Sequence, residues 1–436
     1  MVTETNHKRR QLIESLREAR QRTLELVDDL SDDQMIGPRL EIVNPLRWEI
    51  GHVAWFQEYW LLRHTYGRSP ILADGDKLYD SAKVGHNTRW DLPLPTKADT
   101  IAYMTRVIDD IRQCSQATTS TDPRSHDTEY FLSLALFHED MHGEAITYTR
   151  QTLGLPSPIL TSPETRAVNV PGTSEVHGDA FVPDGSFLLG STDEKGFVFD
   201  NEQQSFEVSV QPFAISKTAT TNEEFAAFVD DDGYRRRELW SNDGWQWRER
   251  AGANHPVYWN NDEGQWRRRN FDQIVPLEHN LPVLHVNWYE AEAYCRWAGR
   301  RLPTEAEWEM AASTEPDSNH KRRFPWGDDE PTPDRVNLDS RAMGCIGVTS
   351  LPNGDSAYGC RQMIGNVWEW TATDFMPYPG FVAGPYKEYS EPWFGNHKVL
   401  RGGCWATRSR LIHNTYRNFY TPDRRDVWAG FRTCAL

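Results

Sequence analysis

Ser133 to Leu153, SLALFHEDMHGEAITYTRQTL, is the stretch that decides the fold of the first third of the chain. Together with Leu132 it reads as one helix. Leu132, Leu134, Leu136, Phe137, Met141, Ile146 and Tyr148 recur among polar residues at helical spacing. His138 and His142 are four apart, so they stand one turn apart on the same face. That spacing lets two imidazoles reach one metal ion, while Glu139 and Glu144 point off the face. With 14 His in the chain, such a pair also arises by chance. A two-His site needs a further ligand, and His52 in Glu49-Ile-Gly-His-Val-Ala-Trp-Phe is the best candidate. A lone core histidine is more often simply hydrogen-bonded than a ligand. Context favours the metal here. All three His lie among apolar residues, where an unpartnered imidazole is costly, and helical bundles build metal sites from facing helices.

Working outward, residues 8 to 155 read as helical. Leu12, Leu16, Ala19 and Thr23 to Val27 make a first apolar stripe, and Leu30-Ser31-Asp32-Asp33 a capped turn. Pro45 to His64 holds the helix of His52, Trp55, Phe56 and Trp60. Lys97 to Gln116 and Thr128 to Leu153 are two more. Four helices with long connections predict a four-helix bundle. The polar loop Ser69 to Pro95, with Lys83, His86 and Arg89, is where a bundle recruits substrate contacts.

Gly154 to Gly178 is rich in Pro, Ser and Thr and reads as a linker. Beyond it, short apolar runs, Gly turns and Trp-rich loops predict an α+β domain. Phe181 to Gly190 reads as a hairpin. Helices are expected over Asn222 to Val229, over Trp288 to Gly299, and from Thr304, with Glu307 completing a capping box. The rest reads as irregular. The domains expected are 1–155, a linker over 156–178, and 179–436.

The net charge of -17 argues against nonspecific binding to nucleic acid or an anionic membrane. No apolar run approaches transmembrane length, and the charged N-terminal helix has no signal-peptide core. Six scattered Cys fit a reduced cytoplasm better than a disulfide framework. Nothing in the sequence calls for an obligate protein partner.

Several motifs carry a resemblance. These are Pro282-Val-Leu-His-Val-Asn-Trp-Tyr-Glu-Ala, Tyr294 to Glu309, Gly365-Asn-Val-Trp-Glu-Trp, Leu400-Arg-Gly-Gly-Cys-Trp and Ala429-Gly-Phe-Arg. Through them residues 180–436 resemble the formylglycine-generating-enzyme, or sulfatase-modifying-factor, domain, which implies a C-type-lectin-like fold. The copper-binding Cys pair of those enzymes is not apparent after Arg401-Gly-Gly. Residues 8–155 resemble a DinB-like metal-binding bundle. The combination resembles the ergothioneine sulfoxide synthase family. That resemblance implies a nonheme iron, Fe(2+), on His52, His138 and His142. It also implies O2-dependent coupling of a donor to imidazole C2 of hercynine. A bundle without need of the second domain, acting as a zinc or nickel thiol transferase, is another enzyme class; a lectin-like binding module with a vestigial bundle is a non-enzymatic one.

The departures bear on the donor. The Arg-Asn-Trp-Asp motif of the mycobacterial type reads Arg417-Asn418-Phe419-Tyr420 here, so Tyr420 replaces an Asp that holds γ-glutamylcysteine. A tyrosine supplies no negative charge to an ammonium group. His86 and Arg89 stand where the family has donor-binding arginines. Phe375 occupies the place of a proton-delivering tyrosine, with Tyr378 in the Tyr-Pro-Gly-Phe element that follows. Met141 replaces a Gln often found between the His pair. The tail from Tyr416 is similar to the selenoneine synthase branch, which implies a selenosugar donor. The expected hercynine contacts are Asn418, Phe419, with Trp370 or Trp405 near it, and Arg417; Arg424 and Arg425 read equally as surface ion pairs. For the aromatics, ordinary core packing is the commoner role.

Overall fold

A computed structural model describes residues 2–117, 125–161, 176–192, 197–316, 318 and 320–436. The chain divides into two compact units, Met1–Ser162 and Pro163–Leu436.

The first unit is helical. Its elements are α1 (Val2–Glu25), α2 (Asp32–Ile36), α3 (Leu46–Gln57), α4 (Gly75–Tyr79), α5 (Lys97–Ala117) and α6 (Ser125–Leu153). The long helices α1, α3, α5 and α6 pack as the expected bundle, α1 on α6 and α3 on both α5 and α6. Ser31 caps α2 in a capping box with Gln34, so the Ser-Asp-Asp turn forms as read. The helix of His52 does not run regularly to His64. It continues as a π-helix over Glu58–Thr65, a form found mostly as short bulges near functional sites. The loop after it is more ordered than its polar composition predicts, holding α4 and a 3-10 turn over His86–Thr88.

A buried polar tie joins three helices. Arg20 of α1 donates through Nε to Glu139 Oε1 of α6 at 2.8 Å, and through Nη2 to Gln57 Oε1 of α3 at 2.7 Å. Gln57 in turn donates to Glu139 Oε2. Glu139 is therefore spent on this tie and stands outside the His52, His138 and His142 group.

The second unit mixes short sheets and helices. In chain order its strands are β1 (Asp179–Val182), β2 (Gly185–Leu189), β3 (Phe206–Val210), β4 (Phe213–Ser216), β5 (Trp259–Asp262), β6 (Gln265–Asn270), β7 (Gln273–Pro276), β8 (Arg300–Arg301), β9 (Trp368–Asp374), β10 (Lys398–Arg401), β11 (Asn418–Tyr420), β12 (Ala429–Gly430) and β13 (Cys434–Ala435). The helices are α7 (Asn222–Asp230), α8 (Asn242–Ala251), α9 (Trp288–Trp297) and α10 (Glu305–Ser313). Two four-stranded sheets, ordered β1-β4-β13-β8 and β11-β10-β9-β12, stand beside a β2-β3 pair and a β5-β6-β7 meander.

Three helices match the sequence reading, and Thr304 caps α10 with Glu307 in a capping box. Phe181 to Gly190 does not form a hairpin. β1 pairs with β4 and β2 with β3, because the two runs flanking Pro183-Asp184 serve different sheets. The meander and α8 lie in sequence read as irregular. Their signals were present in part: Glu263 and Gly264 both have positive φ in the β5-β6 turn, the geometry of a tight hairpin.

The motif residues of this unit hold its core. Glu369 accepts from Arg432 Nε at 2.6 Å and from Trp308 Nε1 at 2.7 Å. Glu305 accepts from Arg401 Nη1 at 2.9 Å and Arg417 Nε at 2.7 Å. Asn366, at φ 69°, places its amide between Asn337, Ile346 and Gln362. Gly402 is at φ 95°, and a Cβ there would overlap the Met363 carbonyl.

Candidate metal centre

The amphipathic packing of α3 on α6 brings three imidazoles together. One nitrogen from each of His52, His138 and His142 lies within 4.8 Å of the others. His138 Nε2 and His142 Nε2 are 3.2 Å apart. That separation is within the span of two imidazoles that would share one ion, each bonded at about 2.1 Å.

The outer nitrogens of His52 and His142 are already committed. His52 Nδ1 lies 2.8 Å from the Tyr79 carbonyl; a carbonyl only accepts, so Nδ1 carries the proton and Nε2 keeps its lone pair. His142 Nδ1 lies 2.5 Å from Glu49 Oε1, which orients that ring likewise. A metal-binding histidine characteristically has this kind of partner on its second nitrogen. Burial is the main cause that holds His52 down to about 3, with the charge of His142 adding to it. Burial likewise holds His138 well below the ordinary histidine range. Both are therefore neutral near pH 7, the form that ligates. Burial opposes ionisation of Glu49, but the neighbouring His142 outweighs it and holds that carboxyl down to about 2. The donor set fits a divalent transition ion, and imidazole alone does not select among iron, zinc, nickel and copper.

Aromatic rings fix the ligands from behind. Phe56 stacks on His138 with centroids 3.6 Å apart, and Trp48 on His52 at 4.8 Å. Gly51 lets the Tyr79 segment approach α3, since a Cβ there would overlap the Tyr79 ring. Gly51→Ala is therefore expected to cost about 1–3 kcal/mol and to weaken metal binding by displacing the carbonyl on His52. Chemical denaturation and metal titration of the same variant check both effects.

Arg89 is buried. Its Nη1 donates to Asn44 Oδ1 at 2.6 Å, and its guanidinium lies 3.7 Å from the Trp48 ring centre. His86 places Nε2 2.9 Å from the Leu40 carbonyl. Met141 is half-buried beside His142. Sequence reasoning quoted Glu49 but missed its role. Its signal was a carboxylate three residues before His52, on the same helical face.

In the second unit, Phe375 stacks on Phe419 at 4.0 Å. Arg417 covers Tyr378 at 4.0 Å and Phe375 at 4.8 Å. The Arg417 guanidinium is fully buried and donates to Glu305 and to the carbonyls of Asn201 and Met376, which ties it to the core. Tyr378 donates to Glu305 at 3.1 Å, and burial pushes its phenol well above the usual range. Strand alternation sets Asn418 and Tyr420 on the face of β11 opposite Phe419. Among the described residues, β11 pairs with one neighbour, β10. Trp370 is fully buried with its N–H on the Val286 carbonyl, a packing role, and Trp405 is fully buried beside Trp428. Arg424 is paired with Asp426 through Nε and Nη2 at 2.6 and 2.7 Å.

Residues 15–146 match the DinB superfamily and residues 165–435 the sulfatase-modifying factor enzyme 1-like domain. The chain is similar to the hercynine oxygenase of Mycolicibacterium thermoresistibile, with 37% identity over 97% of this chain and 94% of the relative. It is 36% identical to that of Mycobacterium tuberculosis over 97% of this chain and 98% of the relative. The formylglycine-generating enzyme of Streptomyces coelicolor is 34% identical, covering 63% of this chain and 96% of its own length. Among the described residues, no helix is long and apolar enough to cross a membrane.

Proposed function

Because the chain belongs to the hercynine oxygenase family, we propose that it is an iron(II)- and O2-dependent enzyme that joins a donor chalcogen to imidazole C2 of hercynine. The observation that carries this reading is the three-His cluster inside the DinB-matched region of a chain similar to those oxygenases along nearly its whole length.

His52, His138 and His142 would hold the iron, which when bound supplies O2 activation and a site for a soft anionic donor. The protein's own part is to keep His52 and His138 neutral, to hold the outer nitrogens of His52 and His142, and to wall the site with Trp48 and Phe56. Asn418 and Tyr420, sharing one face of the edge strand β11, are the proposed contacts for hercynine and donor. Arg417 and Tyr378 act from behind by holding Glu305. Phe375 supports Phe419 by stacking.

The first reading takes a sulfur donor, γ-glutamylcysteine or cysteine, as the resemblance to ergothioneine sulfoxide synthases implies; similarity to hercynine oxygenases supports it. A selenosugar donor is the second reading. The observation favouring it is Tyr420, which stands where ergothioneine synthases have an aspartate and carries the Arg424 guanidinium 5.1 Å from its ring centre. A hydroxyl-rich sugar needs hydrogen-bonding partners rather than a charge for an ammonium group.

The test is anaerobic loading with iron(II), then hercynine, O2, and γ-glutamylcysteine in competition with selenoglucose, with products read by mass. A sulfur adduct supports the first reading and a selenium adduct the second; no adduct from either donor overturns both. With the sulfur donor, Tyr420→Asp is expected to lower KM by about tenfold, the worth of one charge-assisted hydrogen bond. An unchanged KM removes Tyr420 from the donor site.

A further inference from the structure

The segment between α4 and α5 touches the metal centre through one side chain with two arms. Arg89 Nη1 donates to Asn44 Oδ1 at 2.6 Å, Asn44 Nδ2 donates to Glu49 Oε2 at 2.6 Å, and Glu49 Oε1 accepts from His142 Nδ1. The second arm is a stack. The Arg89 guanidinium carbon lies 3.7 Å from the centre of the Trp48 ring, and the other neighbour of that ring is His52, at 4.8 Å and nearly parallel. The Trp48 indole N–H is held by the Leu78 carbonyl at 2.7 Å, next to the Tyr79 carbonyl that holds His52. Arg89 Nη2 also reaches the Val84 carbonyl at 3.3 Å.

We propose that Arg89 is a positioning residue for the metal centre, orienting His142 through Asn44 and Glu49 and His52 through the face of Trp48. The proposal rests on the metal reading of the three histidines. It differs from a role in holding a donor carboxylate, because the same guanidinium is engaged with Asn44, Val84 and Trp48.

The physical case is one of geometry and charge. Glu49 is buried, and a buried carboxylate needs compensation on both oxygens. His142 serves one oxygen and Asn44 the other, and Arg89 fixes which way the Asn44 amide points by donating to its oxygen. Were that amide to flip, its oxygen would face Glu49 and repel it. A planar guanidinium can stack on an indole and donate from its edge at the same time, whereas a lysine ammonium cannot. The chain Arg89, Asn44, Glu49, His142 spans four residues from three segments, so it couples the loop's position to the ring angle of a ligand.

The experiment uses the full chain and cobalt(II) as probe, with affinity measured by competition against a chromophoric chelator and the ligand-field spectrum recorded. Wild type is expected to bind one ion per chain, lost in His138→Ala. Arg89→Ala and Asn44→Ala should each weaken binding by about tenfold or more, shift the ligand-field bands, and combine less than additively. Arg89→Lys, which keeps charge and bulk, should restore folding stability but not the bands. Unchanged affinity and bands in Arg89→Ala, with a raised KM for a thiol donor, would overturn the proposal in favour of a donor contact. If Arg89→Ala does not fold, Asn44→Ala and Arg89→Lys carry the same test. Failure of wild type to bind cobalt, or retention of it by His138→Ala, would overturn the metal reading itself.

Discussion

His138→Ala is expected to abolish stoichiometric metal binding and, with it, turnover. Removing a partner from the outer nitrogen of a ligand costs about 10–100-fold in affinity, and removing a ligand itself costs more. His138 has no substitute nearby: among the described residues, the three-His group is the one cluster of His, Cys, Asp or Glu gathered closely enough to hold an ion. Glu49 is close to the site but is occupied by His142 and Asn44. The fold should survive, because the bundle is tied separately by Arg20, Gln57 and Glu139. The change trades a ring stacked on Phe56 for a small cavity, at a cost of about 2–4 kcal/mol. Metal analysis after anaerobic loading and desalting reads the result beside a circular-dichroism melt. Iron content equal to wild type in a folded variant would place the ion elsewhere.

Glu305→Ala is expected to be the most damaging single change to the second unit. One buried carboxylate accepts from Arg401, Arg417 and Tyr378, and both arginines are fully buried. Arg401 keeps Glu309 as a partner, whereas Arg417 keeps, among the described residues, hydrogen bonds to the carbonyls of Asn201 and Met376 and no carboxylate. A buried ion pair broken on one side costs about 3–5 kcal/mol. Loss on that scale is a large part of the stability of a domain. Urea unfolding followed by tryptophan fluorescence measures it, and a loss below about 1 kcal/mol would show that water reaches the cluster. Glu305→Gln, which retains one acceptor oxygen, should fall between the two.

The local half of this molecule was legible. Apolar spacing identified the long helices of the bundle, Ser31 and Thr304 announced the caps of α2 and α10, and the i, i+4 spacing of His138 and His142 placed two imidazoles on one face before any tertiary contact was known. These depend on residues within a few positions of one another, and short-range sterics and hydrogen bonds decide them. The π-helical continuation after Gln57 and the meander over Trp259 to Pro276 were harder, because each depends on which neighbours the segment meets.

The sequence by itself determined that this chain has a helical part with a histidine pair and a mixed part built on Trp- and Gly-rich motifs. Only the tertiary structure decided what the polar residues do. His142 meets Glu49 across 93 positions, Arg89 meets Asn44 across 45, and Arg417 meets Glu305 across 112. A guanidinium reads the same in sequence whether it waits for a ligand or neutralises a buried carboxylate. The difference lies in burial, and burial belongs to the packed whole, where an unpaired charge costs more than the chain's marginal stability allows.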